Sequence, residues 1–575
     1  MKKIIFAFIG ISIFLGACNI NEYLDVSPID EYTSASVFKT EADMIIASNY
    51  LYTFLPFLDQ QKSDNRMWLY TDDGWRRNGG NEKAKLNWLA SDANTPHRKL
   101  HFYRYDDIRH CNELIARIPG AEFSDPDIAT RVEAEARFIR AMLYERMVLL
   151  HGDIPLVTEP QDLDFFPSNE GQREVVFDFV ISELEAIAQI LPESYPGSDA
   201  GRVTKWAALT LKARAYLNAV GWHSNPSELY DGAEAACRQI IQGSGMSLDD
   251  GIDGFRRLFM PDSDYDGSSP STATVLSRVY VDNLLPYEQI SFKGLPRGAY
   301  FGTGEGAGNN QAQYGATWNL VQSFQTINGL APVDDPTYDP ADAFTDRDPR
   351  LRASLILPGD MLQTRDGGGS ELYAYQPHPD SATVNADRGD RNTGMDTGYL
   401  IRKYVGLSLD DNITLIYINT KRGHADYKIF RYAEVLLMMA EALAADNNPE
   451  ALTYVNMVRN RVGMPSYNGI GDVPTVLMNG TTGNAYIDAV LLERRYEFAG
   501  EGGHRMMDIW RYRLGDQVYG HVEGIPENSA LNGDLEGPRT RYANTNRRWD
   551  DKYYLFPLPQ SALDVNPNLT NNPGW

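Results

Sequence analysis

Apolar positions along the chain fall into helical periods separated by long polar stretches. From Arg131 to Leu150 (RVEAEARFIRAMLYERMVLL) strong helix formers run without Gly or Pro, and His151-Gly152-Asp153 supplies a stop. After Thr204, a residue suited to an N-cap, Trp206, Thr210, Ala213 and Leu217 share one face, which predicts a second helix. A third is predicted from about Tyr427 to Ala445, where Ala433 and Ala440 leave a stripe of small side chains for a close neighbour. Asn448-Pro449 then restarts a helix through Ala451, Val455, Val458 and Arg459 that stops at Gly463-Met464-Pro465. Two helices joined by so short a break form an antiparallel hairpin, the unit of helical-repeat scaffolds. No clean period of about 34 residues is present, so tetratricopeptide-like repetition, if it occurs, is interrupted by insertions.

The intervening stretches differ from ordinary connections. Residues 60–98 carry Trp68, Trp75 and Trp88 among Asp, Asn, Arg and Gly. Residues 291–320 set Phe292, Tyr300, Phe301, Tyr314 and Trp318 in a Gly- and Asn-rich background, and residues 360–398 are again rich in Gly, Asp and Arg. Long loops in a compact protein are usually functional. Aromatic planes stack on the CH faces of a sugar ring, while amides and carboxylates bond its hydroxyls. For any single tryptophan, burial in a core is the plainer reading. The clustering carries the functional one.

The first eighteen residues add a membrane. Met1-Lys2-Lys3 is followed by an apolar run from Ile4 to Leu15, broken by Gly10 and Ser12. The run is shorter than the ~20 residues a spanning helix needs, so it reads as a signal segment, residues 1–17. Leu15-Gly16-Ala17-Cys18 matches a bacterial lipoprotein cleavage box, which makes Cys18 the expected site of lipidation. Acyl chains contribute about 0.8 kcal/mol per buried CH₂, so two or more of them hold a protein stably on a membrane. No later segment has a transmembrane length without charges.

With 575 residues, 43% of them hydrophobic, the chain has ample material for a large core. The formal net charge of −25 argues against nucleic acid and polyanionic glycans as partners, and leaves neutral sugars, peptides and cationic surfaces. Cys111 and Cys237 could form one disulfide or none, and two small buried thiols on helices is the plainer reading. Gly302, Gly304, Gly306 and Gly308 lack the Lys-Ser/Thr of a phosphate loop. Asp262, Asp264, Asp266 and Gly267 open like an EF-hand, but Ala273 stands where a bidentate glutamate is required. No cofactor or metal is therefore expected, and a structural calcium ion has no support. His-Glu-x-x-His and Gly-x-Ser-x-Gly are both missing. Paired carboxylates of the glycosidase kind stay open, because sequence separation does not give their geometry.

Several segments in order resemble the SusD/RagB family of outer-membrane nutrient-binding lipoproteins. They are Tyr23-Leu24-Asp25-Val26-Ser27-Pro28 after the cleavage box, Glu135-Ala136-Arg137-Phe138-Ile139-Arg140-Ala141 running on to Gly152-Asp153-Ile154-Pro155-Leu156-Val157, and Gly201-Arg202-Val203-Thr204 with Ala213-Arg214-Ala215-Tyr216-Leu217. Arg347-Asp348-Pro349-Arg350, Arg431-Tyr432-Ala433-Glu434-Val435-Leu436-Leu437 and Glu493-Arg494-Arg495-Tyr496-Glu497 continue the match, and Phe556-Pro557-Leu558-Pro559 and Asn572-Pro573-Gly574-Trp575 close it. One departure is local: Gly503 is inserted before His504-Arg505, and Met506 stands in place of an aromatic residue. Arg431 with Glu434, and Arg494 with Glu497, read as i,i+3 pairs that hold helices in register.

The resemblance implies a mostly α fold, a tetratricopeptide-like scaffold of helical hairpins with a loop-rich ligand-binding face. An N-terminal region, 18–240, and a C-terminal region, 270–575, would form one compact unit. It further implies no enzymatic activity, capture of a neutral oligosaccharide or polysaccharide at the cell surface, and delivery to a SusC-like TonB-dependent transporter in the outer membrane. Peptide binding, as in RagB-like members, is the alternative; a surface glycoside hydrolase is the third reading. For stacking, the candidates are Trp75 and Trp88, then Trp318 and Tyr314; for hydroxyl contacts, Asp73, Asn78 and Arg391.

Overall fold

The computed structural model describes residues 38–56, 65–76, 102–162, 164–260, 271–280, 314–366, 369–374, 397–404, 413–416, 425–522, 524 and 545–575. The expected signal segment 1–17 and Cys18 lie outside this set. So do the glycine series 302–308 and the acidic turn 262–267.

In chain order the main elements are α1 (Glu41–Leu51), α2 (Asn65–Trp68), β1 (Gly74–Arg76), α3 (Tyr105–Arg117), α4 (Pro126–His151), α5 (Arg173–Ala188), α6 (Lys205–Ala219) and α7 (Pro226–Gly243). The middle of the chain contributes α8 (Gly251–Arg257), β2 (Thr274–Arg278), β3 (Tyr314–Ala316), α9 (Trp318–Ser323), α10 (Arg350–Ser354), β4 (Leu355–Ile356), β5 (Met361–Asp366), β6 (Gly369–Ala374), β7 (Tyr399–Ile401), β8 (Ile413–Ile416) and β9 (Tyr427–Arg431). Then come α11 (Tyr432–Ala445), α12 (Ala451–Arg461), α13 (Ala485–Glu497), α14 (His504–Arg511), α15 (Gly515–Val518), β10 (His521–Val522), β11 (Thr545–Asn546) and α16 (Gln560–Val565).

The helices end where local chemistry tells them to. Asp125 caps α4 through the Asp127 amide, Pro126 occupies the first turn, and Gly152 closes it at φ 70°. Thr204 caps α6 by accepting the Ala207 amide at 3.3 Å. Successive helices from α3 to α7 pack on one another, and α7 then packs on α11 across the long middle insertion. The contact face of α7 is small, with Ala233, Ala236 and Cys237 all buried. On α11, Ala433 and Ala440 are buried too, as their spacing predicts. Cys111 on α3 and Cys237 on α7 are free buried thiols, and burial pushes the Cys111 thiol up to about 12.

Two expectations need correction. The helix predicted from Tyr427 begins at Tyr432, because Tyr427–Arg431 is strand β9 and pairs antiparallel with β2, Thr274 opposite Arg431 and Arg278 opposite Tyr427. The residues of β9 are buried throughout, Lys428 and Arg431 included, so no alternation of apolar and polar positions marks the strand in the sequence. The presumed i,i+3 pairs are also re-partnered. Arg431 bonds Glu497 and Glu501, Glu434 bonds Arg214, and Arg494 bonds Asp508, so each pair links separate segments.

Glu497 is the hub of this network, reached by Arg350, Arg431 and Arg461. Burial would raise its carboxyl, but the surrounding cations overcome that and hold it far below the usual carboxylate range. The closing motif clamps the end of α4. The Phe556 amide donates to the Leu150 carbonyl at 2.7 Å, and the Asn572 side chain donates to the His151 carbonyl at 2.8 Å. Met506 is fully buried, and Gly503 leaves room for Met67: a Cβ there would come within 3.2 Å of the Met67 sulfur.

Candidate functional site

The two aromatic loops meet at a four-stranded sheet of order β1-β3-β7-β4. β1 is reached by a tight path out of α2. The Thr71 amide and hydroxyl both donate to the Trp68 carbonyl, at 3.1 and 2.7 Å. Gly74 then passes so close to that carbonyl that a Cβ would lie 2.2 Å from its oxygen, so glycine alone fits. From there β1 pairs antiparallel with β3, with Trp75 opposite Gly315 and Arg76 opposite Tyr314. Thr317 locks the junction: its amide donates to the Asp73 carbonyl at 2.9 Å and its hydroxyl to the Asp72 carbonyl at 2.7 Å. The same hydroxyl oxygen caps α9, the helix that starts at Trp318.

Beside this junction lies a buried cluster of charge. Arg505 holds Asp72 with two bonds, Nε to Oδ1 at 2.9 Å and Nη2 to Oδ2 at 2.8 Å. Asn479 adds a third at 2.7 Å. Burial would raise the Asp72 carboxyl, but Arg505 and Arg495 overcome it and hold it down at about 2. Arg495 Nε donates to Asp73 Oδ1 at 2.8 Å, and its Nη2 also donates to the Asn319 carbonyl at 3.1 Å. Arg547 donates to the Gly74 carbonyl at 2.9 Å and to the Thr71 carbonyl.

These contacts place the residues singled out from sequence. Trp75 is 4% exposed and belongs to the core, with the Arg547 guanidinium 5.7 Å from its ring centre. Asp73 is 1% exposed. Its carboxylate is spent on Arg495, which corrects the expectation that it meets a sugar hydroxyl; for Trp75 likewise, a ring with so little free surface offers no face for stacking in this arrangement. Trp318 is half-buried and stacks on Tyr399, ring centres 6.2 Å apart and planes 24° apart. The backbone of Tyr314 lies on β3 beside these groups. Trp88, Asn78, Arg391 and Cys18 lie outside the described residues.

Reading by sequence missed Asp72, Tyr399 and Arg505, and took Arg495 for part of a helix motif without a role at the loops. Tyr399 carried no signal. Nor did the arginines, since Arg495 and Arg505 stand among other charged residues on α13 and α14 and nothing local marks which of them is buried. Among the described residues, no group of three or more His, Cys, Asp or Glu is placed to hold a metal ion. No helix among them is long and apolar enough to cross a membrane. A separate cleft, with about 1110 Å³ of empty space that includes some open to solvent, runs between α4, α6, α11 and α14. His504 on its wall stacks on Phe498 at 4.2 Å, and burial with the nearby arginines pushes its imidazole well below 6.5.

A helical-repeat scaffold that brings two aromatic loops together on a small sheet defines a class of binding protein, and comparison with known proteins gives its family. The model described as SusD family matches residues 282–575, half of the chain, and one described as starch-binding associating with outer membrane matches residues 22–217. The chain belongs to the SusD/RagB family. SusD-like protein P2 of Formosa agariphila is 26% identical over 100% of both chains, and SusD-like protein P25 of the same organism is 24% identical over 81% of this chain and 78% of its own. Among solved structures, a SusD-like carbohydrate binding protein from Bacteroides fragilis superposes with a TM-score of 0.72 at 22% identity, covering 93% of this chain and 99% of that one. Surface glycan-binding protein A from Bacteroides uniformis superposes with a TM-score of 0.63 at 19% identity, covering 92% and 99%. At these identities the structures establish the shared helix-rich fold.

Proposed function

We propose that this chain is a lipid-anchored protein of the outer cell surface that captures neutral oligosaccharides and passes them to a TonB-dependent transporter, without cleaving them. The observation that carries the reading is the pairing of β1 with β3, which joins the two loops richest in aromatic and amide side chains and leaves Trp318 only partly buried beside them. Trp318 is the stacking residue, Tyr314 its neighbour on β3, and Trp88, Asn78 and Arg391 are further contacts. Relatives whose names specify carbohydrate or glycan binding share the fold. The net charge of −25 favours a neutral glycan over an anionic one. Cys18 supplies the anchor.

The test is calorimetry on the chain lacking residues 1–18, against neutral polysaccharides of glucose, mannose, xylose and galactose and against a peptide pool, followed by analysis of products. Saturable heat from a neutral glycan, with no new reducing ends, is the expected result. Heat from peptides alone would replace this reading with peptide uptake. Accumulating reducing ends would make the protein a hydrolase.

A further inference from the structure

We infer that Arg495 is a positioning residue for the ligand site: one buried guanidinium ties the entry to β1 in the first aromatic loop to α9, the helix that closes the second, and so sets where the Trp318 ring stands. For its affinity arm this rests on the glycan-binding reading above.

Arg495 projects from α13, a helix of the scaffold, and its side chain is 2% exposed, so it acts through its neighbours and not on a ligand. Its Nε and Nη2 both reach Asp73 Oδ1, one residue before β1, and its Nη2 also reaches the carbonyl of Asn319, one residue after Trp318. α9 has six residues, too few to hold itself in place without outside contacts. At its far end α9 is held by Arg347, which bonds the Val321 and Phe324 carbonyls, while a link between α9 and the first loop runs through Arg495. Arg495 reaches both. The planar fork is what allows this, since a lysine ammonium is a point charge on a flexible stem and cannot reproduce two directed contacts at once.

Arg495→Lys, Trp318→Ala and the double variant test the inference, with the neutral oligosaccharide that gives heat in the calorimetric screen as probe. Arg495→Lys is expected to weaken binding about tenfold, roughly the worth of one aromatic contact. In the Trp318→Ala background the same change should have almost no further effect. Additive losses, or a lower melting temperature with unchanged affinity, would overturn the assignment and leave Arg495 a stabiliser of the core. A second arm needs no ligand. Hydrogen exchange in Arg495→Lys should quicken in both 71–76 and 314–323, and quickening in one segment alone would break the proposed link. Should every sugar fail to bind while both segments loosen, the glycan reading fails and the coupling of the two loops stands. If Arg495→Lys does not fold, Asp73→Asn with Arg495→Gln removes both buried charges and should loosen the same two segments.

Discussion

Arg214 on α6 grips Glu434 on α11 with both arms of its guanidinium, Nε to Oε1 at 2.8 Å and Nη2 to Oε2 at 2.7 Å. The pair joins the helices that lie on either side of the middle insertion. Glu434 is 3% exposed at its side chain, so the carboxylate has exchanged water for this partner, with His504 Nδ1 at 4.0 Å beside it. Such a pair is worth less for the attraction it gains than for the penalty of breaking it.

Removing Arg214 should therefore be costly. Arg214→Ala is expected to lose about 3–5 kcal/mol of unfolding free energy by leaving the buried Glu434 carboxylate without its guanidinium. Arg214→Met with Glu434→Met should recover much of that loss. Urea titrations followed by far-ultraviolet dichroism check both, and a double variant no better than the single one would show that packing, not charge, is at stake.

The two tryptophans of the candidate site should separate by readout. Trp75 is buried, so Trp75→Ala is expected to cost about 3–5 kcal/mol of stability. Trp318 is only partly buried, so Trp318→Ala should cost less, under about 2 kcal/mol, and act mainly on ligand affinity. Denaturant midpoints and calorimetry, run on the same preparations, distinguish them.

Gly74→Ala asks whether the close passage into β1 matters. A methyl group there would meet the Trp68 carbonyl oxygen at 2.2 Å, a backbone atom that cannot swing aside. The expected result is a folded protein whose β1–β3 pairing is lost, seen as faster amide exchange at 74–76 with slow exchange retained in α4 and α6. Unchanged exchange at 74–76 would show that the segment shifts cheaply.

Acid should find Asp72. Its folded carboxyl sits at about 2 against an ordinary 3.8, so the native state binds its proton later than the unfolded chain does. The stability it contributes is fully present above 3.8 and is lost as pH falls through about 2. Asp72→Asn should be less stable at neutral pH, because Arg505 loses the carboxylate that accepts two of its bonds, yet should show a shallower fall in melting temperature across that window. Parallel slopes for the two proteins would remove Asp72 as the acid-sensitive group.

Much of the helical scaffold was legible because its signals are local. Thr204 caps α6, Gly152 ends α4 and Gly463 follows α12 at φ 82°, each where neighbouring residues dictate. The limits appear where partners lie far apart. β9 read as helix because its pairing with β2 is a long-range choice, and Arg494 read as a partner for Glu497 although its carboxylate, Asp508, belongs to α14. The aromatic loops were legible as a cluster, yet which ring is buried was not, since Trp75 and Trp318 share the same kind of surroundings in sequence.

By itself, then, the sequence determined the helices found as α4, α6, α11 and α12, the loops that carry aromatic chemistry, the acidic balance that disfavours anionic partners, and the expectation of an anchor at Cys18. Tertiary structure alone decided that Asp73 answers to Arg495, that Trp75 goes inside while Trp318 stays only partly buried, and that the two loops share a sheet. The physical reason is range. Caps, periods and turn residues act within a few positions, whereas a buried charge or ring takes its role from whatever the fold brings against it, and Asp73 and Arg495 meet across 422 positions.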